Sequence, residues 1–460
     1  MTSPTVPGPG LYGLARVSAM TAVALGLLLA VLDYSVANVA LPTIGHDLHV
    51  APSDSIWVVN AYQFASLVAL LPFAALGSRV GFARMCRIGT AIFIVASVLC
   101  ALSHTLVEIS LARVLQGLGS ACILSVNLAL VRFIYPPAEL GKGIGLNGLV
   151  IGVGVALGPS IGAAVLSVTS WPWIFWLNVP LGGAALALAS FTLPQTPRSS
   201  APYDAPHALL SVLALGGIAL GLDEFAHGHL GLTGFGPLLL GALAIGVLWS
   251  RQHDRPDPIF PADLLKHGPF RTAFLVGVMG FLTSNLFMIS IPFTLEAVFA
   301  KSASLTGLLI TAWPIGVTIA SPVSGRLADR LPVGLVSSLG LLLTGVGFFA
   351  LCCLPPTAPN LVIAAAILIA GIGFGVFQPP NNRAMMASAR AGREGGASGM
   401  VSLSRLSGQT LGATSVACLF MYLPSRASML CLALASSCAL ITATVSGSRL
   451  LKRDPKRSLP

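Results

Sequence analysis

Charge is what this sequence has least of. Only 9% of its 460 residues are Asp, Glu, Lys or Arg, while 55% are hydrophobic and mean hydropathy is +0.87. A chain so poor in charge cannot cover a water-facing surface, which implies a polytopic membrane protein. Histidine at membrane depth is missing as well: the eight histidines lie in predicted loops or at span ends, and none follows His267. Two serine-hydrolase-like patterns, Gly158-Pro-Ser-Ile-Gly162 and Gly396-Ala-Ser-Gly399, therefore lack the base that would activate them. Gly143-Ile-Gly-Leu-Asn-Gly148 matches the letters of a dinucleotide fingerprint but opens a membrane span and follows no strand. Metal-ligand spacing is absent among the eight cysteines, most of which (Cys86, Cys100, Cys122, Cys418, Cys431, Cys438) lie inside apolar segments and read as packing residues. Neither an enzyme nor a metal site is expected. No cleavable signal peptide is expected either, because no Lys or Arg precedes Arg16 and the chain leads straight into a full-length span. The longest inside segments, near 251–271 and 448–460, are too short for a signalling domain, which argues against a non-transporting sensor.

What the sequence does have is long apolar runs. At about 20 residues per bilayer crossing, fourteen segments are predicted, near 17–40, 55–77, 85–103, 106–131, 143–167, 173–193, 208–224, 232–250, 272–299, 306–325, 333–354, 360–379, 396–422 and 426–447. The basic residues support that count. Arg16, Arg79, Arg84, Arg87, Arg132, Lys142, Arg198, Arg251, Arg326, Arg330, Arg383 and Arg449 all fall in alternate loops, while the intervening loops hold only Lys301 and Arg426. By the positive-inside rule both termini are expected to be cytoplasmic. The formal charge of +10 is thus topological, and no nucleic-acid partner is expected. The organisation repeats: Leu76-Gly-Ser-Arg79 follows the second span and Leu327-Ala-Asp-Arg330 the tenth. The expected layout is a cytoplasmic N-terminus (1–16), a six-helix half (17–193), two inserted helices (208–250), a second six-helix half (272–447) and a cytoplasmic tail (448–460). Related halves of this kind build central sites that open to each side in turn.

Within this apolar frame one acid stands out. Asp33 lies in the uncharged run Val17 to Leu41, where a carboxylate costs about 3 kcal/mol and is a functional-site hypothesis by default. On a helix it shares a stripe with Gly26, Ala30 and Ala37, so it faces other helices rather than lipid. Arg113 shares a face with Gln116, Gly117, Ser120 and Asn127 in span four. Counted from the outer span ends, both charges sit about 12 to 14 Å deep, so they fit one site. A bridge that merely pins two helices is the competing reading. In span five Asn147, Gly154, Gly158 and Gly162 form a stripe with Pro159 in it, a pattern for close approach and bending, or for plain tight packing. Arg405 lies near the midplane of span thirteen and is expected to contact substrate or pair with an acid. Glu296, near the outer end of span nine, reads equally as a residue reaching to water. Tyr34, Trp57, Tyr62, Phe281, Phe287 and Trp313 are candidates for apolar or cation-π contacts with cargo, or for packing.

Five stretches carry a family resemblance: Leu32-Asp-Tyr-Ser-Val-Ala-Asn-Val-Ala-Leu-Pro42, Arg113-Val-Leu-Gln-Gly-Leu-Gly119, Gly154-Val-Ala-Leu-Gly-Pro-Ser-Ile-Gly162, Trp173-Ile-Phe-Trp-Leu-Asn-Val-Pro180 and Arg405-Leu-Ser-Gly-Gln409. With them the chain, from about Ala15 to Leu450, resembles a major facilitator superfamily exporter of the fourteen-span drug:proton antiporter branch. The resemblance implies an all-α membrane fold of two six-helix halves plus two central helices, in a bacterial inner membrane and as a monomer. It implies export of amphipathic, cationic organic molecules by alternating access, driven by a proton gradient with no cofactor. Asp33, Arg113, Arg405 and Glu296 would serve proton and substrate, and Gly154, Gly158, Pro159 and Gly162 would let the fifth helix bend. Gly77, Ser78, Arg79 and Gly81, with Gly325, Asp329 and Arg330, would form the cytoplasmic gating turns. One departure matters: an acid is usual where Ser78 stands, so that latch is expected to be weaker or carried by the Ser78 hydroxyl. A dedicated exporter of one metabolite or antibiotic is the alternative within transport.

Overall fold

In a bilayer each backbone N–H and C=O must be paired within the chain, and long apolar runs meet that demand as helices. The computed structural model describes residues 10–50, 57–199, 202–226, 231–252, 262–301, 303–388, 394–423 and 426–450, and among these it contains helices and no strand. The first part comprises α1 (Gly13–Asp47), α2 (Trp57–Val80), α3 (Phe82–Ala101), α4 (Leu106–Ile134), α5 (Leu140–Val168), and α6 (Pro172–Trp176) followed directly by α7 (Asn178–Thr192). Helices α8 (Ala205–Ala226) and α9 (Leu232–Gln252) come next. The remainder is α10 (Ala262–Lys266), α11 (Gly268–Ala297), α12 (Ala303–Ile310), α13 (Ala312–Leu327), α14 (Val333–Cys353), α15 (Asn360–Ala387), α16 (Glu394–Tyr422) and α17 (Ala427–Gly447).

A helix or a consecutive pair lies over each of the fourteen predicted segments. Eleven of these are long and apolar enough to cross a membrane among the described residues. Local chemistry sets the helix ends. Thr105 caps α4 by accepting from the Glu108 N–H at 3.2 Å, and the Glu108 carboxylate accepts from the Thr105 N–H at 3.3 Å, a reciprocal box that satisfies donors otherwise orphaned at a helix start. Between α2 and α3 the chain turns at Gly81, whose φ of +101° is disfavoured for other residues, and the Phe82 N–H donates to Thr196 Oγ1 at 2.9 Å.

Helix α1 packs on α5 and α7, α4 on α2 and α3, and α15 on α13 and α14. One apolar core forms around α1 to α4, with Leu70, Phe93 and Leu130 at its centre. Another gathers around α11, α13, α14 and α15, where Phe287, Trp313 and Phe348 stack with centroids 4.7 to 5.6 Å apart. Phe287 and Trp313 are therefore packing residues. Helices α8 and α9 pack on each other, and α8 also rests on α2 and α16.

Basic loop residues gather on one side. Arg16 pairs with Glu139 at 2.8 Å and Arg132 donates to the Met386 carbonyl at 2.9 Å, while Arg449 donates to Asn381 Oδ1 at 3.1 Å. On that side α5 meets α13 and α2 meets α16. The conformer is shut there.

Candidate functional site

The first span delivers Asp33 into the protein rather than toward lipid, and the residue is 1% exposed. Three donors converge on its carboxylate. Arg113 Nη1 lies 2.6 Å from Oδ2, while Gln116 Nε2 and Asn178 Nδ2 donate to Oδ1 at 2.9 and 2.6 Å. Arg113 is equally enclosed: its Nε donates to the Val58 carbonyl at 2.8 Å, its Nη1 also to Gln116 Oε1 at 2.7 Å, and Nη2 has no partner. The guanidinium lies 4.4 Å from the ring centroid of Tyr62, whose hydroxyl donates to Ser120 at 2.7 Å. Gln116 Nε2 extends the network to Ser97 at 2.8 Å. Helical spacing explains it: Arg113, Gln116 and Ser120 are one and two turns apart on α4 and so present one polar face to α1, α2 and α3.

A charge pair this dry holds only while both members remain ionised. Removing one charge leaves the other buried and uncompensated, a penalty of about 3–5 kcal/mol. With both carboxylate oxygens occupied by protein donors, Asp33 has no charge to spare for a cargo in this conformer. The positive counterpart of Asp33 in this conformer is Arg113.

A second polar cluster lies at the junction of the two halves, in a cavity of about 40 Å³ reached by α1, α4, α5, α11, α15 and α16. That is room for a few waters and far less than an organic ligand needs. Its wall carries Asn127, Asn147, Gln378, Asn382, Ser402 and Arg405 among apolar residues that include Leu27 and Phe281. Asn147 Nδ2 hydrogen-bonds Asn127 Oδ1.

The remaining candidates lie elsewhere. Glu296 is exposed near the end of α11, outside both clusters. Gly154 faces Val31 and Leu28 on α1, and Gly158 faces Ser35, whose hydroxyl donates to the Val155 carbonyl at 3.3 Å. Those glycines let α5 lie close against α1. Gly162 is buried on the same helix, while the side chain of Pro159 lies outside the described residues. Tyr34 and Trp57 are exposed and so line neither cluster.

The two gating turns are built differently. Ser78 does not reach across the seam: its hydroxyl donates to the Ala75 carbonyl at 2.8 Å, within its own helix. Arg79 likewise donates to Ala75 at 2.6 Å and to Pro202 at 3.2 Å, and Gly77 packs on Val126. In the second turn Asp329 accepts from the Gly141 N–H at 3.0 Å and lies 3.2 Å from Arg383 Nε. Gly325 touches Gly141 backbone to backbone, and Arg330 is exposed. An unforeseen acid, Glu394 at the start of α16, lies 3.9 Å from Arg132.

Sequence reasoning brought Asp33 and Arg113 together and placed Gln116 on the right face. It missed Asn178, although a lone amide in the apolar run Trp173 to Pro180 was the available signal. It also missed Gln378, whose helix carries Pro379 and Pro380 beside it.

Comparison with known proteins follows the same line. The Uncharacterized transporter YebQ of Escherichia coli (strain K12) is 41% identical over 450 residues, covering 97% of this chain and 98% of that protein. Riboflavin transporter RibZ of Clostridioides difficile (strain 630) is 28% identical, with 84% of each chain covered. Methylenomycin A resistance protein of Streptomyces coelicolor is 29% identical, covering 85% of this chain and 83% of that one. Among solved structures, the human organic anion transporter MFSD10 superposes with a TM-score of 0.71 over 94% of this chain and 99% of its own, at 16% identity, a likeness of fold alone. A family model matches residues 23–262 and 273–459. On that match, with its all-helical halves and its central cavity, the chain is a transporter that belongs to the Major Facilitator Superfamily.

Proposed function

We propose that this chain is a proton-coupled exporter of amphipathic organic molecules. It would cross a bacterial inner membrane fourteen times as a monomer with both termini cytoplasmic, and work by alternating access. The observation that carries the reading is the sealed pair Asp33–Arg113, with its carboxylate held by Gln116 and Asn178. A buried acid on a membrane helix with no packing advantage over an apolar residue calls for a use, and proton exchange is the use that its chemistry offers. Neutralising Asp33 with Arg113 sealed beside it would leave a buried, uncompensated charge, so the reading assigns proton exchange to a conformer in which water reaches α1. Tyr62 lies against Arg113, its ring centroid 4.4 Å from the guanidinium. Export is supported by relatives named as a Methylenomycin A resistance protein, a Tetracenomycin C resistance and export protein and the Multidrug resistance protein Stp. The relative named as a riboflavin transporter keeps a single dedicated substrate as the second reading.

Uptake of organic dyes into inverted vesicles under an imposed pH gradient tests the proposal. Asp33→Asn is expected to abolish the pH-driven component, a loss of at least roughly tenfold, while gradient-free exchange of the same dye continues. Undiminished pH-driven uptake would remove Asp33 from the coupling step.

A further inference from the structure

Charge is distributed unevenly between the two polar clusters, and the difference bears on what is carried. In the Asp33 cluster the charges cancel. In the central cavity they do not: Arg405 is its charged lining residue, and no carboxylate lies on the wall among the described residues. Among the described residues Arg405 has neither an ion pair nor a hydrogen bond. The buried carboxylate of Asp33 is already saturated by Arg113, Gln116 and Asn178.

We infer that the cargo site selects organic anions, and that Arg405 is the residue that receives the anionic group. This inference rests on the exporter reading above. A guanidinium at the junction of two halves, lining a cavity and free of a protein partner, offers a planar fork of donors that matches a carboxylate, sulfonate or phosphate, and charge-assisted bonds of this type are about twice as strong as neutral ones. A cationic cargo would meet like charge at Arg405 and no acid to offset it. The rest of the wall defines the remainder of the molecule. Gln378 Oε1 and Asn147 Oδ1 are buried without partners, one from each half. Whichever way each amide is turned, it presents an unmatched polar group to a heteroaromatic or amide edge on the cargo. Phe281, Leu27 and Val401 give the apolar part of the wall. The cargo class is therefore an amphipathic organic acid with a flat polar body. Because the cavity of about 40 Å³ is too small for such a molecule, binding requires the helices around it to part, so the anion is received in a wider conformer.

A matched dye pair reads this directly. Fluorescein, an anion, and a rhodamine ester of the same xanthene skeleton, a cation, are compared on the full-length protein in lipid nanodiscs, by thermal stabilisation and fluorescence polarisation. The anion is expected to stabilise the protein and bind at least tenfold more tightly than the cation. Arg405→Met should remove that preference, and Arg405→Lys should restore part of it, which separates a lost charge from a lost fold. Preference for the cation, equal binding of the two, binding of neither, or an anion preference that survives in Arg405→Met would each overturn the inference. The exporter reading is judged separately, by the pH-driven transport lost in Asp33→Asn, so cation transport that depends on Asp33 would sink the anion site and leave the exporter standing.

Discussion

The two halves shut the same side of the molecule by unlike means. Ser78 and Asp329 occupy equivalent places in the repeat, and Arg132 and Arg383 are separated by the same sequence distance. Even so, the contacts differ. At the α5–α13 seam the acid sits on the turn, where Asp329 accepts from Gly141 of the other half, and Arg383 stays with its own half, beside Asp329. At the α2–α16 seam the turn carries a serine bonded to its own helix, and the acid stands instead at the start of the opposing helix, as Glu394. Arg132 therefore reaches across, to Glu394 at 3.9 Å and to the Met386 carbonyl at 2.9 Å. One seam is tied through a backbone N–H and the other through an ion pair. What is retained between the halves is one acid and one arginine per seam, and which helix supplies the acid is exchangeable.

Steric packing should break the comparison most strongly. A Cβ on Gly141 would lie 2.3 Å from the Gly325 carbonyl oxygen and 2.5 Å from Asp329 Oδ1, with backbone on one side and the clasp on the other. At the second seam a Cβ on Gly395 would meet the Phe82 ring at 2.9 Å and the Ala74 carbonyl at 3.0 Å, a less severe approach. Gly141→Ala is expected to disfavour closure by about 1–3 kcal/mol and Gly395→Ala by less. Fluorophores on exposed Arg84 and Arg326 would report it as a longer distance between halves on the basic side.

The ion pair comes next. Glu394→Gln should loosen closure by about 1 kcal/mol, as expected for a long pair whose acid is nonetheless buried. Ser78→Asp supplies the acid where the other half has it, so the double variant Ser78→Asp/Glu394→Gln should return toward wild-type closure, whereas Ser78→Asp alone adds a second acid and brings no gain. That non-additivity is the signature of one arginine served by either acid. Additive effects would show that Glu394 and position 78 act on separate partners.

How far the sequence could be read follows from the same residues. Helix positions were legible because apolar length is set by the bilayer, and every predicted segment coincides with helix. Asp33 and Arg113 were legible because a small-residue stripe and a polar face each point inward, and one inward acid at matching depth with one inward base leaves few pairings. The third and fourth members were less so. Asn178 belongs to the segment that the chain breaks into α6 and α7, and its aim depends on how that break is folded. Glu394 was hidden because it looks like an ordinary interfacial acid until the seam places Arg132 opposite. The charge of the cavity could not be read at all: it depends on which buried groups cancel each other, and a count of acids and bases along the chain does not say who pairs with whom.

The smallest expected effect separates the two seams by pH. Burial is the largest influence on Asp329 and pushes its carboxyl above the usual range, against the opposing pull of the Gly141 N–H, Arg383 and Lys142. One carboxylate oxygen, Oδ2, is buried with no partner, which accounts for that balance. If opening returns Asp329 to water, its pKa is higher in the closed form than in the open one, so closure takes up protons. The contribution is then fully present below the open-form value, and it is lost as the pH rises through the raised closed-form value. Acidifying the basic side through the carboxylate range should favour closure, by a modest amount since the group is only partly enclosed. Asp329→Asn keeps an acceptor for Gly141 and mimics the protonated acid, so it should flatten the pH dependence and leave the closed fraction near its acid value. The same titration in Glu394→Gln should keep its slope, because the dependence belongs to the α5–α13 seam. A slope that vanished in Glu394→Gln and survived in Asp329→Asn would assign the proton to the wrong acid and reverse the comparison.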